Sequence, residues 1–211
     1  MRLVLASASP ARLATLTSAG FAPDVVVSGV DEDAALAAAH ARRGREGAAD
    51  DVVVLARAKA EAVATDLGRT HAAQAVVVLG CDSLLELDGR TYGKPADAPD
   101  AVARWRLMRG RTGVLHTGHW LVDLRTGRGV GRTASTVVHF ADLSDDEIDA
   151  YVATGEPLAV AGAFTVDGLG GPFVTGIEGD YHTVVGVSLP LLRDLLAQLD
   201  VRVTDLWAPR R

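Results

Sequence analysis

The sequence has a single cysteine, no apolar run long enough to span a membrane and no excess of positive charge, and each shortage closes off a class of function. Cys81 alone excludes an internal disulfide and any cysteine-based zinc cluster, which fits a reducing compartment. A transmembrane helix needs ~20 consecutive apolar residues, and the apolar stretch after Met1 and Arg2 is too short even for the core of a signal peptide. A soluble cytoplasmic protein without a membrane partner is therefore expected. Lysine and arginine number 21 against 27 aspartates and glutamates, a net charge of −6, so the field repels a nucleic-acid polymer. The chain also lacks a Walker motif and internal repeats. Gly168-Leu169-Gly170-Gly171 lacks the third glycine of a dinucleotide fingerprint.

What is present supports a sizeable core: 211 residues, 48% of them hydrophobic, with 22 glycines that imply many tight turns. Leu3 to Leu5 reads as a buried strand that runs into a helix start, with Ser9 as N-cap, Pro10 at the first helical position and Gly20 as the stop. Unpaired backbone N–H groups and the positive end of the helix dipole meet there, which favours an anion, and Ser7, Ser9 and Arg12 add donors. An ordinary capped turn between strand and helix would look the same from this segment alone.

Further along, a β-branched run over Asp24 to Ser28 precedes the acidic patch Asp31-Glu32-Asp33 and an alanine-rich stretch to His40. Residues 41–49 read as an exposed loop, and Asp51 to Leu67 as a long helix carrying Lys59. Ala75 to Leu79 is a continuous apolar run expected to form a central strand ending at Gly80, with Asp82 just beyond it. Leu84 to Tyr92 reads as a hairpin with a type I′ turn at Asp88-Gly89, delivering Lys94. A helix over Asp100 to Met108, a longer hairpin from Thr112 to Phe140, a capping box at Ser144 and Glu147 and a final helix from Ser188 to Leu199 complete the pattern. The alternation gives an α/β fold with a mixed sheet flanked by helices.

Open α/β sheets place ligands at the carboxyl ends of their strands, where Asp82 is expected. With Glu32, Lys59 and Lys94 it makes two carboxylates and two amines, a set able to hold a divalent metal and neutralise phosphate. As an isolated residue Asp82 could equally begin a turn. His116 and His119 have H-x-x-H spacing, but residues three apart on a strand face opposite ways, which argues against shared metal ligation. Cys81 reads better as a buried small hydrophobe than as a nucleophile, and Trp105 and Trp120 as core or interface residues.

Seven stretches resemble, in order, the motifs of the Maf family. They are Leu5-Ala-Ser-Ala-Ser-Pro-Ala-Arg12, Leu55-Ala-Arg-Ala-Lys-Ala60, Gly80-Cys-Asp-Ser83, Gly93-Lys-Pro95, His116-Thr-Gly118, Tyr151-Val-Ala-Thr-Gly-Glu-Pro157, and Ile177-Glu-Gly179 through Val184-Val-Gly186 to Leu189-Pro-Leu-Leu192. The resemblance covers nearly the whole chain. It implies one domain, residues 1–211, with two lobes and an active-site cleft between them. It also implies hydrolysis of nucleoside triphosphates to monophosphate and pyrophosphate with Mg²⁺ or Mn²⁺, and a homodimer. Carried over by position, Asp82 matches the catalytic base and Glu32 a metal-side carboxylate. Ser7, Arg12, Lys59 and Lys94 match polar and phosphate-binding positions. Whether Asp82 is base, metal ligand or both stays open. The alternative function, from the family's link to septum formation, is a non-catalytic nucleotide-binding regulator of cell division.

The chain departs from the family pattern at three places. Ala11 stands where a first arginine is usual, which leaves one phosphate contact missing or supplied elsewhere, with Arg57 a candidate. Ala159-Val160 replaces a charged pair. Asp167 replaces a glutamine, and because an ionised carboxylate only accepts hydrogen bonds whereas a carboxamide also donates, Asp167 is expected to alter base preference. It could also simply start the Asp167-Gly168 turn.

Overall fold

The structure, a computed structural model, describes residues 1–44, 47–70 and 75–208. Its described strands are β1 (Arg2–Leu5), β2 (Asp24–Val25), β3 (Val76–Leu87), β4 (Arg90–Tyr92), β5 (Thr112–Asp123), β6 (Arg128–Phe140) and β7 (Val174–Glu178). The helices are α1 (Pro10–Ser18), α2 (Glu32–Arg43), α3 (Ala48–Thr70), α4 (Ala98–Met108), α5 (Asp145–Ala153), α6 (Tyr181–Val185) and α7 (Leu189–Gln198). The sheet is mixed, in the order β2-β1-β3-β5-β6-β7 with β4 paired to β3. β1 runs parallel to β2 and β3, whereas β4 and β7 join their neighbours antiparallel. The expected α/β class is thus met. Among the described residues no helix is long and apolar enough to cross a membrane.

The chain forms two compact units, the first from residues 1–82, 117–134 and 186–211, the second from 83–116 and 135–185. In the first unit the sheet is buried on both faces because apolar residues run without alternation through Leu3–Leu5 of β1 and Val76–Leu79 of β3. Leu3, Leu5, Val77, Leu79 and Cys81 pack with Leu16 of α1 and Leu192, Leu195 and Leu196 of α7. On the opposite face Val4, Val76 and Val78 pack with Ala60, Val63 and Ala64 of α3. The second unit has its own core, in which Trp105, Met108, Ile148, Tyr151 and Val152 meet Leu85, Leu87 and Phe140. The Trp105 indole N–H donates to the Ala163 carbonyl at 2.8 Å, which satisfies the polar end of a fully buried ring.

Glycine fixes how closely α3 lies on the sheet. A Cβ at Gly80 would collide with the Ala56 carbonyl, and one at Gly118 with the Val52 carbonyl, so helix backbone rests directly on strand backbone at both points. The hairpin turn is as expected, with Asp88 at φ 50° and Gly89 at φ 72° between the paired Leu87 and Arg90.

Two expected boundaries move. β3 does not end at Gly80 but continues through Asp82 to Leu87, so Asp82 is a strand residue rather than the start of a turn. The expected 41–49 loop is mostly helix, since α2 runs to Arg43 and α3 begins at Ala48, and Arg45 and Glu46 lie outside the described residues. Alanine and arginine are good helix formers, and here they extend both helices into the connection.

Candidate active site

In the first unit, three charged side chains from three elements meet. Asp31 caps α2 by accepting from the Ala34 N–H at 2.9 Å, which puts Glu32 in the first helical turn. Lys59 sits on α3 one turn beyond the Ala56 contact with Gly80, and Asp82 lies on the face of β3 that α3 covers. The Lys59 ammonium reaches Asp82 Oδ1 at 2.6 Å and Glu32 Oε1 at 2.8 Å. The side chains of Lys59 and Asp82 are both only 12% exposed, whereas Glu32 is 51% exposed. Burial raises the Asp82 pKa above the ordinary carboxylate value, against the opposing pull of Lys59 and Arg12. Burial also pushes the neighbouring Cys81 thiol up to about 11, so it stays protonated and unreactive at neutral pH.

The β1–α1 turn is built as its sequence implies. Ser9 caps α1 by accepting from the Arg12 N–H, and Ser7 Oγ accepts from the Ser9 N–H at 3.2 Å and from the Arg12 guanidinium at 3.1 Å. Arg12 also donates to the carbonyls of Cys81 at 2.9 Å and Gly186 at 2.8 Å. The arginine therefore ties the turn to β3 immediately before Asp82, a bracing role that its place in the motif does not disclose.

Lys94 and Asp167 belong to the second unit. Arg104 positions the segment carrying Lys94, donating to the Gly93 carbonyl at 2.7 Å and the Lys94 carbonyl at 3.3 Å, while the Lys94 side chain is exposed. Asp167 is exposed in the 165–170 turn. Its negative charge contributes, after burial, to raising the Tyr181 pKa, so the two side chains lie within electrostatic reach.

The Maf-like protein family model matches residues 2–199. This chain belongs to the Maf-like family. It is 61% identical to a nucleoside triphosphate pyrophosphatase of Salinispora tropica, over 99% of this chain and 88% of that one. Proteins of the same name from Streptomyces coelicolor and Mycobacterium marinum are 55% and 54% identical. Those matches span 99% and 98% of this chain and 95% and 97% of theirs.

One expectation about this Maf-like chain meets a different local structure. Arg57 was a candidate to replace the missing arginine at Ala11, but it bonds Glu61 at 2.8 Å and lies over the Trp120 ring at 4.8 Å. Residues two apart on a helix face different ways, so Arg57 points away from the side that carries Lys59. The histidines of the H-x-x-H spacing are engaged separately. His119 accepts the Ser188 N–H at Nε2, 2.8 Å, and donates from Nδ1 to the Thr117 carbonyl, which makes it a buried helix-capping group. His116 Nδ1 lies 2.8 Å from Ser135 Oγ.

Sequence reasoning passed over Glu156. Its Oε1 accepts from Tyr151 Oη at 3.1 Å, Thr165 Oγ1 at 2.5 Å and the Gly170 N–H at 3.1 Å, and its Oε2 from the Leu169 N–H at 3.0 Å. Burial acts to raise its pKa, but these four donors outweigh burial and hold it below the usual glutamate value. The available signals were its place in the Tyr151–Pro157 motif and the glycine pair Gly168 and Gly170, which leaves room for a half-buried carboxylate beside the turn.

Proposed function

We propose that this Maf-like protein hydrolyses nucleoside triphosphates to nucleoside monophosphate and pyrophosphate, by attack of water at the α-phosphorus and cleavage of the α–β anhydride. The observation that carries this reading is the Glu32–Lys59–Asp82 constellation, two carboxylates joined through one mostly buried ammonium beside a helix N-terminus. Asp82 takes a proton from the attacking water. A carboxylate whose pKa is raised by burial is a stronger base than a solvated one, which suits it to that step. Lys59 holds Asp82 in place and offsets charge that grows on the pyrophosphate, and the positive end of the α1 dipole, with Ser7, Ser9 and Arg12, favours the phosphate tail. By family likeness Lys94, in the second unit, matches a phosphate-binding position.

The residues fit a divalent cation. Both carboxylates lie within hydrogen-bond reach of one ammonium, and Mg²⁺ is commonly held by one or two carboxylates with water and phosphate completing its shell. Glu32 and Asp82 would hold the ion, with water and phosphate oxygens completing its shell. When bound, Mg²⁺ or Mn²⁺ supplies Lewis acidity at the phosphate. Asp167 is the proposed base reader, an acceptor-only group facing the N–H donors of a nucleobase edge. A cytoplasmic setting and a homodimer complete the reading by family likeness.

Pyrophosphate release from a panel of nucleoside triphosphates with Mg²⁺ or Mn²⁺ tests it. Turnover on at least one is expected. Binding without turnover on all of them would overturn the enzyme in favour of a nucleotide-binding regulator of cell division.

A further inference from the structure

The 165–170 turn is built around a carboxylate rather than around its own backbone. Thr165 Oγ1 donates to Glu156 and accepts the Gly170 N–H at 3.2 Å, while Tyr151 Oη donates to Glu156 and accepts the Thr165 N–H at 3.2 Å. Both ends of the turn are thus tied to the same glutamate oxygen, and the Leu169 N–H is tied to the other. The bonds leave no slack. A Cβ at Gly168 would lie 2.6 Å from Glu156 Oε2, and one at Gly170 would lie 2.5 Å from Tyr151 Oη. Tyr151 is itself anchored in the core of the second unit, edge-on to Trp105 with ring centroids 5.6 Å apart. What the turn presents outward is Asp167, exposed at its apex, with Leu169 60% exposed beside it.

We propose that Glu156 is a positioning residue for nucleotide selection, its carboxylate setting the course of the 165–170 turn and with it the place of Asp167. This rests on the reading of Asp167 as the group that meets the base. Hydrogen bonds to an ionised acceptor are roughly twice as strong as neutral ones, so a charged template at the centre of a glycine-rich turn holds the apex where a neutral one would let it wander. Discrimination between bases demands that stiffness, since a displacement of about 1 Å at a reading group can cost roughly 100-fold. Glutamine at position 156 with its carbonyl at the Oε1 place keeps three donors and faces only the Leu169 N–H with the wrong group. Alanine loses all four.

The test is kcat/KM for guanine, adenine, cytosine and uracil triphosphates, measured on the full chain as wild type, E156A, E156Q, T165V and D167Q, with melting curves as the check on folding. D167Q is expected to reorder the bases. E156A is expected to narrow the spread between best and poorest base by about 10- to 100-fold. E156Q should restore most of that spread, and T165V, which removes one donor and keeps the shape, should fall between them. If E156A does not fold, E156Q and T165V decide the matter, because a narrowed spread with unchanged melting supports the inference and unchanged base ratios in both overturn it. Unchanged ratios in E156A while D167Q moves them overturn the inference and leave the base reader standing. Unchanged ratios in D167Q, or a wild type indifferent to the base, overturn both.

Discussion

Asp82 and Glu156 are both carboxylates taken partly out of water, yet their affinities for a proton move in opposite directions. Asp82, in the first unit, has a cation at 2.6 Å, but burial outweighs it and the proton is held more tightly than usual. Glu156, in the second, accepts from two hydroxyls and two backbone N–H groups, and these outweigh a lighter desolvation. A carboxylate proposed to take and return a proton is served by a dry setting that raises its proton affinity. One that must hold a shape is served by fixed dipoles aimed at both of its oxygens.

The comparison breaks most visibly at Asp82. Asp82→Asn should lower turnover by roughly 100- to 10,000-fold in a pyrophosphate-release assay, the range for a lost general base, with nucleotide binding still measurable. An equally active variant would remove Asp82 from the chemistry. Lys59→Met should nearly abolish activity as well, and by leaving Asp82 buried without its cation should destabilise the fold by up to about 3 kcal/mol in urea melts. Gly80→Ala is expected to cost about 3 kcal/mol, since the added methyl must push α3 off β3, and activity should fall with it.

The smallest effects are in the pH dependence of stability in metal-free buffer, and their signs differ. Glu156 is depressed when folded, so its contribution is present above the unfolded glutamate pKa and is lost as pH falls through the folded value. The window lies below about pH 4.5. Asp82 is raised when folded, so the native state holds its proton longer than the unfolded chain does, and stability declines as pH rises from about 4 toward the folded value. Melting midpoints across pH 3 to 7 should therefore show a shallower acid-side rise in E156Q, with Asp100, Asp123, Asp145, Glu147 and Asp205 supplying the rest, and a shallower later decline in D82N. Parallel curves for both variants would erase the distinction.

Much of this was legible in the residues. The strand at Leu3, the cap at Ser9, the turn at Asp88-Gly89 and the capping box at Ser144 and Glu147 each rest on local rules that the rest of the chain does not override. The choice of Glu32, Lys59 and Asp82 as partners came from residue chemistry and family resemblance, and the geometry joins all three. What stayed hidden depends on neighbours remote in sequence. β3 reads as ending at Gly80 because aspartate usually starts turns, yet its pairing with β4 carries it on to Leu87. Arg57 looks available until Trp120 and Glu61 occupy it. Glu156 stands inside the Tyr151–Pro157 motif, but its role stays hidden because its donors sit up to 14 residues away on a turn whose glycines only hint at it.

The contacts of α3 at Gly118 and Gly80 are made by the carbonyls of Val52 and Ala56, one helical turn apart. Two points on a cylinder fix its rotation as well as its position, so the helix is indexed against the sheet like a shaft keyed at two places. The phase of Lys59 is then set entirely by the three-residue count from Ala56. Length changes in the connection before Ala48 leave that phase untouched. A single residue inserted between Ala56 and Lys59 would turn the ammonium by about 100° and strand both carboxylates without altering any side chain of the trio.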